Sequence, residues 1–130
     1  MEKYSDFSLE RIILFGYQID QLKHFYVQYF NFTIVEEVFD QWVVLQAGHM
    51  QLALHKVGAG YEPEDGAKFK AESNTKLVFR LKEGIEQFRE RLKNDGFTIG
   101  DIKSFEGYDS LFCDGEDIEG NVFQIEQSKV

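Results

Sequence analysis

Residues 11–37 read RIILFGYQIDQLKHFYVQYFNFTIVEE, and the order in which their hydrophobic periods change decides the architecture. The run over 11–17 is rich in branched and aromatic residues and predicts a strand. Leu22, Phe25, Tyr26, Tyr29 and Phe30 then recur at i, i+3, i+4, i+7 and i+8, the stripe of an amphipathic helix, which Asn31 ends. Three strand-like segments follow, Thr33–Phe39, Trp42–Ala47 and Met50–Lys56, separated by Asp40-Gln41 and Gly48-His49, which are of hairpin length. The first half therefore reads βαβββ.

Outward from that segment the same order returns. Residues 57–73, VGAGYEPEDGAKFKAES, hold the only proline and no periodicity, and read as a connection. Thr75–Leu81 predicts a strand. Ile85, Phe88 and Leu92 then mark one face of a helix whose other face carries Glu86, Arg89, Glu90 and Lys93, and Gly96 stops it. Phe97–Ile102, Ser110–Asp114 and Val122–Glu126 predict three further strands. The last of these follows a turn-forming cluster of Asp114, Gly115, Asp117 and Gly120, and its alternation Val-Phe-Gln-Ile-Glu is that of a half-buried strand. The chain reads as βαβββ twice, with modules at about 9–57 and 75–127 and a linker over 58–74.

Composition bounds the function. A chain of 130 residues, 43% hydrophobic and 15% aromatic, predicts one compact domain. The start MEKYSDFSLER is polar and acidic and no apolar run is long enough to cross a bilayer, so a cytoplasmic protein with no membrane partner is expected. A net charge of −9 argues against nucleic acid, because phosphate backbones need clustered Lys and Arg. The single cysteine, Cys113, excludes an intramolecular disulfide and reads as a small core residue, and no Cys/His spacing has the form of a zinc site.

The stretch over 11–37 resembles the opening strand, helix and second strand of the vicinal oxygen chelate superfamily, which includes glyoxalase I, bleomycin-resistance proteins and extradiol dioxygenases. The Phe25-Tyr26 pair in the helix and the Phe after its end are characteristic. LVFRLKEGIEQFRERLKNDGFTI over 77–99 is similar to the second module's strand, helix and Gly-Phe turn, and DIEGN over 117–121 to the turn before its final strand. The resemblance spans roughly residues 9–127; Ile118 and Glu119 replace the usual Pro and Asp of that turn, and Asn31 the usual Gly. It implies an α+β fold of two βαβββ modules whose curved mixed sheets form a cup, and a homodimer.

It also implies where a divalent ion would sit in metal-dependent members, held by two His and two Glu on the first and last strands of the modules. Carried over from Phe25-Tyr26, those positions fall on Arg11, Ala53, Lys76 and Gln124. None is a usual ligand, so no metal and no other cofactor is expected. His55 and Glu126 are the credible ligands nearby, and two are too few for a tight ion.

If alternate residues face the cup with those positions, Arg11, Ile13, Phe15, Tyr17, Gln51, Ala53 and His55 line the first module, and Lys76, Val78, Arg80, Val122, Gln124 and Glu126 the second. The opposite faces, with Ile12, Leu14, Leu52, Leu54, Leu77, Phe79, Phe123 and Ile125, should pack on the helices. The candidate ligand-binding residues are Arg11, Phe15, Trp42, His55, Lys76, Arg80, Gln124 and Glu126; His24 and His49 read as surface residues. A solvated sheet face would carry Arg11, Lys76, Arg80 and Gln124 equally well, and the sequence leaves both readings open.

Two functions follow. One is a metal-free small-molecule-binding protein that grips an aromatic or amphipathic ligand in the cup. With three cations opposed only by Glu126, that ligand is expected to carry an anionic or carbonyl oxygen held by Arg11 and Lys76. The other is a glyoxalase- or dioxygenase-like enzyme, a lyase or oxidoreductase, with His55 or Glu126 working as acid or base at a non-standard site. A regulatory domain without a small ligand is the plainest third reading.

Overall fold

The computed structural model describes residues 5, 6, 8–61, 63, 70 and 74–130. Most of the predicted linker over 58–74 lies outside the described residues; within it, Ala59–Tyr61 form a 3-10 turn. The chain divides into two compact units, Met1–Phe69 and Lys70–Val130.

In the first unit β1 (Arg11–Gly16) is followed by α1 (Ile19–Phe30), β2 (Thr33–Val38), β3 (Trp42–Ala47) and β4 (Met50–Lys56). The sheet has the order β1-β4-β3-β2, with β1 parallel to β4 and the other pairs antiparallel. The helical stripe is the buried one: Ile19, Leu22, Phe25 and Tyr26 lie in the core with Val43, Leu45, Leu52 and Leu54. Asn31 closes α1 in the left-handed conformation, φ 59°, its N–H reaching the Val27 carbonyl at 3.1 Å. At the other end Gln18 makes no side-chain cap; Asp40, in the β2–β3 turn, accepts the Asp20 N–H at 3.1 Å instead.

The second unit repeats the order with β5 (Leu77–Arg80), α2 (Ile85–Asn94), β6 (Lys103–Ser104), β7 (Ser110–Glu116) and β8 (Val122–Ser128). Its sheet runs β5-β8-β7-β6, with the same parallel pair beside the same antiparallel ones. Ile85 and Leu92 of α2 are buried, as are Cys113, Phe123 and Ile125 of the sheet. Gly96 at φ 88° ends α2: its N–H reaches the Lys93 carbonyl and the Phe97 N–H that of Leu92, two bonds that satisfy the last turn. As in the first unit, the helix start has no cap of its own, and the Gln127 side chain from β8 accepts the Ile85 N–H at 2.9 Å.

Both mixed four-stranded sheets with their helices match the predicted α+β architecture. Several boundaries do not. The strand expected over 97–102 is split: Ile99 bridges Gly115, and the ladder resumes only at Lys103–Ser104. Between them Arg89 takes the Gly100 carbonyl at 2.7 Å and the Asp101 carboxylate at 2.8 Å, which draws that segment toward α2. β5 begins at Leu77 rather than Thr75, so Lys76 stands just before the strand. Gly115, read as part of a turn, lies in β7 opposite Phe123. The turn itself is residues 117–121, where Asp117 accepts the N–H groups of Glu119 and Asn121 and the Asn121 side-chain amide.

Candidate binding faces

Each sheet presents one side to its helix and leaves the other side open, and strand parity decides which residues stand on the open side. In the first unit Arg11, Ile13 and Phe15 of β1 pair with Gln51, Ala53 and His55 of β4, which pair in turn with Gln46, Val44 and Trp42 of β3. The assignment of Arg11, Phe15 and His55 to one face therefore holds in register, while Leu52 and Leu54 on the other face are buried. Ala53 is 0% exposed although it belongs to the open side, so the position offers neither a donor atom nor access.

One cross-strand row is aromatic. The Phe15 ring lies 5.4 Å from His55, and Trp42 meets His55 edge-on at 5.4 Å. Phe15 stays 56% exposed at the sheet edge, next to Ile13 at 42%. The row continues to Val38 on β2, which pairs with Trp42. The Trp42 indole N–H is donated to Glu36 Oε2 at 3.1 Å. Glu36 was not among the predicted residues. A bulge between Ile34 and Glu36 shifts the phase of β2, so plain alternation along TIVEEV does not report the side on which Glu36 stands. Arg11 sends Nε and Nη2 to Gln51 Oε1 at 3.0 and 2.6 Å, so its guanidinium is tied to the neighbouring strand.

In the second unit Val78 and Arg80 pair with Gln124 and Glu126, which pair with Asp114 and Phe112 of β7. Lys76 Nζ lies 3.1 Å from Asp114 Oδ2, and the Gln124 amide donates to Asp114 Oδ1 at 3.0 Å. Arg80 lies 3.7 Å from Glu126 Oε2, which also accepts the Ser110 hydroxyl at 2.9 Å. The sequence count of three cations against one carboxylate is thereby corrected. Asp114, two residues from Phe112 on the same strand, brings a second carboxylate, and both cations of this face are paired. Alternation along Ser110, Phe112 and Asp114 was the available signal. Rings of Phe105 and Tyr108 flank Phe112 at 5.5 and 6.2 Å, and both are exposed; neither was predicted.

Cys113 points to the covered side, its thiol 3.3 Å from the Gly100 carbonyl, and burial pushes its pKa up, as for an inert core thiol. His24, on the surface of α1, lies 3.4 Å from Asp20.

The four positions where the resemblance places metal ligands do not fit a divalent ion. A guanidinium and an ammonium repel it, an alanine methyl has no lone pair, and the Gln124 amide nitrogen is turned to Asp114. Among the described residues no three His, Cys, Asp or Glu side chains gather as a metal centre would require.

No protein-family model matches the sequence, and no curated protein does. Solved structures do match in fold. A lactoylglutathione lyase from Agrobacterium tumefaciens aligns over 94% of each chain with a TM-score of 0.72 and 15% identity. A fosfomycin resistance protein from Listeria monocytogenes aligns over 97% of this chain and 95% of its own, TM-score 0.69, 11% identical. An integron cassette protein from the mobile metagenome of V. cholerae aligns over 98% of both, TM-score 0.69, 19% identical. At such identities the likeness is one of fold, and the residues of each face must speak for themselves.

Proposed function

From the premise that this chain has the fold of the vicinal oxygen chelate superfamily, we propose a metal-free protein that binds an aromatic or amphipathic small molecule on its open sheet faces. The row Phe15–His55–Trp42 carries the reading: three rings from three adjacent strands stand side by side, with Phe15 left largely in water. An exposed aromatic row is a surface that a flat apolar ligand covers at a gain of roughly 25 cal/mol per Å² of apolar area removed from water. Arg11 on the same face, and Lys76, Arg80, Gln124 and Glu126 on the second sheet, supply the polar contacts that orient it.

A cytoplasmic homodimer is part of this proposal. Phe15, Val38 and Phe39 of the first unit and Val78 of the second are exposed apolar side chains, and pairing of subunits removes such surface from water. A monomer by light scattering at micromolar concentration contradicts the dimer. No helix among the described residues is long and apolar enough to cross a membrane.

The binding experiment is a thermal-shift screen of aromatic compounds on wild type and on Phe15→Ala. Stabilisation by a set of aromatic compounds that Phe15→Ala weakens supports the face; hits that bind the variant equally well remove it.

An enzymatic reading, of the lyase or oxidoreductase kind, rests on Glu126. Its carboxylate is partly sheltered and held between the Ser110 hydroxyl and Arg80, as a positioned acid or base would be. Turnover of a screened compound that disappears in Glu126→Gln would establish this reading over simple binding.

A further inference from the structure

The open face of the first sheet carries a carboxylate that no cation answers. Glu37, beside it in sequence, stands 2.7 Å from Lys23 of α1, and Asp40 in the next turn stands 3.5 Å from Lys56. Glu36 is different. Register with Val44 places it on the open side, it is exposed, and among the described residues no lysine, arginine or histidine forms an ion pair with it. Its one hydrogen bond is the Trp42 indole N–H at Oε2, which is neutral and leaves the charge uncompensated.

The other charged side chain of this face is far away. Arg11 is on β1 and Glu36 on β2, the two edges of the order β1-β4-β3-β2. Three strand spacings of roughly 4.8 Å separate those edges by about 14 Å. That exceeds the screening length of about 8 Å in physiological salt, so each end keeps its own sign. Arg11 is moreover engaged by Gln51 Oε1. The face therefore has an aromatic row with a carboxylate hydrogen-bonded to its indole, an arrangement that attracts a positive charge both through the carboxylate and through the ring quadrupoles.

We propose that this face takes an aromatic or amphipathic amine, with the protonated nitrogen at Glu36 beside Trp42 and the apolar body along His55 and Phe15. The inference rests on the ligand-binding reading above and adds the sign of the ligand. It replaces the anionic ligand expected from the count of cations, because Lys76 and Arg80 are already paired with Asp114 and Glu126. Gln124 agrees with it: with its amide nitrogen given to Asp114, it has its carbonyl oxygen left to offer, and that oxygen takes a donor.

Trp42 is the only tryptophan, so its indole N–H resonance reports on this place alone. The probes are phenethylamine, phenethyl alcohol and hydrocinnamate, which share a ring and differ in charge. They are titrated into wild type, Phe15→Ala, Glu36→Gln and, as a control for net charge, Glu86→Gln. The glutamine at 36 retains an oxygen for the indole N–H and removes only the charge. Phenethylamine should shift the Trp42 resonance and bind most tightly, with an affinity about tenfold lower in Glu36→Gln, as expected for loss of a charged hydrogen-bond partner, and unchanged in Glu86→Gln. Equal binding of amine and alcohol, preference for hydrocinnamate, or undiminished amine binding in Glu36→Gln overturns the cation seat, while a loss of all binding in Phe15→Ala leaves the aromatic face standing. If none of the probes binds wild type, the cation seat and the aromatic face fall together.

Discussion

Gln124 donates its side-chain amide to Asp114 Oδ1 at 3.0 Å, across the β7–β8 ladder, while Lys76 holds the other oxygen of that carboxylate at 3.1 Å. The last-strand position at which the fold's metal-dependent members present a carboxylate is thus occupied by a neutral side chain locked in a lateral hydrogen bond. A divalent ion would have to break that bond and displace an ammonium. Purified without chelators, the protein should carry well below one equivalent of transition metal and show no thermal shift with Zn, Ni, Mn or Fe(II). A stoichiometric ion surviving gel filtration would contradict this and direct attention to His55 and Glu126.

Asp40 caps α1 from a distance, taking the Asp20 N–H while its second oxygen faces Lys56, and it does so from a left-handed backbone with φ 53°. Asp40→Ala removes the cap and places a residue less tolerant of that conformation in the turn. A loss of about 1–2 kcal/mol in urea unfolding is expected. Asn, which accepts the same bond and tolerates the same φ, should restore most of it; equal losses for Ala and Asn would show that the ion pair with Lys56, not the cap, matters.

Lys23 is buried between α1 and β2 and contacts Asp20 at 2.9 Å and Glu37 at 2.7 Å. Hydrogen bonding from Lys23 holds the Asp20 carboxyl below its ordinary value, and hydrogen bonding to Glu37, then to Asp20, holds the Lys23 ammonium above its own. A lowered carboxyl stabilises the fold above its unfolded pKa, and that contribution is lost as pH falls through the folded value. A raised ammonium stabilises below its unfolded pKa and is lost as pH rises through the folded value. The network is therefore complete between about pH 4 and pH 10. Plots of Tm against pH should show a shallower decline on the acid side for Asp20→Asn than for wild type. For Lys23→Met, both the acid and the alkaline limbs should flatten. Curves that merely shift down in parallel would contradict the linkage.

Gly115 faces Phe123 across the β7–β8 ladder, and a Cβ built there would lie 2.7 Å from the Phe123 Cζ and 3.3 Å from the Thr98 carbonyl oxygen. The ring is 1% exposed and has nowhere to move. Gly115→Ala should cost about 1–3 kcal/mol by overpacking, and Phe123→Leu in the same chain should recover part of that cost. Full stability of the single variant would mean that the ring yields.

Local periodicity was enough to read much of this protein. The stripe from Leu22 to Phe30, the alternation through Gln51–His55 and Val122–Glu126 and the stop at Gly96 all come from residues within a few positions of each other, where the helix and strand periods act directly. They determined both βαβββ modules and the open side of β1, β4 and β8. The bulge at Ile34–Glu36, the split of β6 by Arg89 and the place of Gly115 beneath Phe123 each depend on a partner ten or more residues distant, on another strand or on the helix. So do the charge balance of the second face, through Lys76, Asp114 and Gln124, and the unanswered carboxylate of Glu36 on the first. A side chain's type is written in the sequence, but the sign and hydrogen-bonding state it offers a ligand depend on which neighbour already holds it, and only the tertiary structure decides that neighbour.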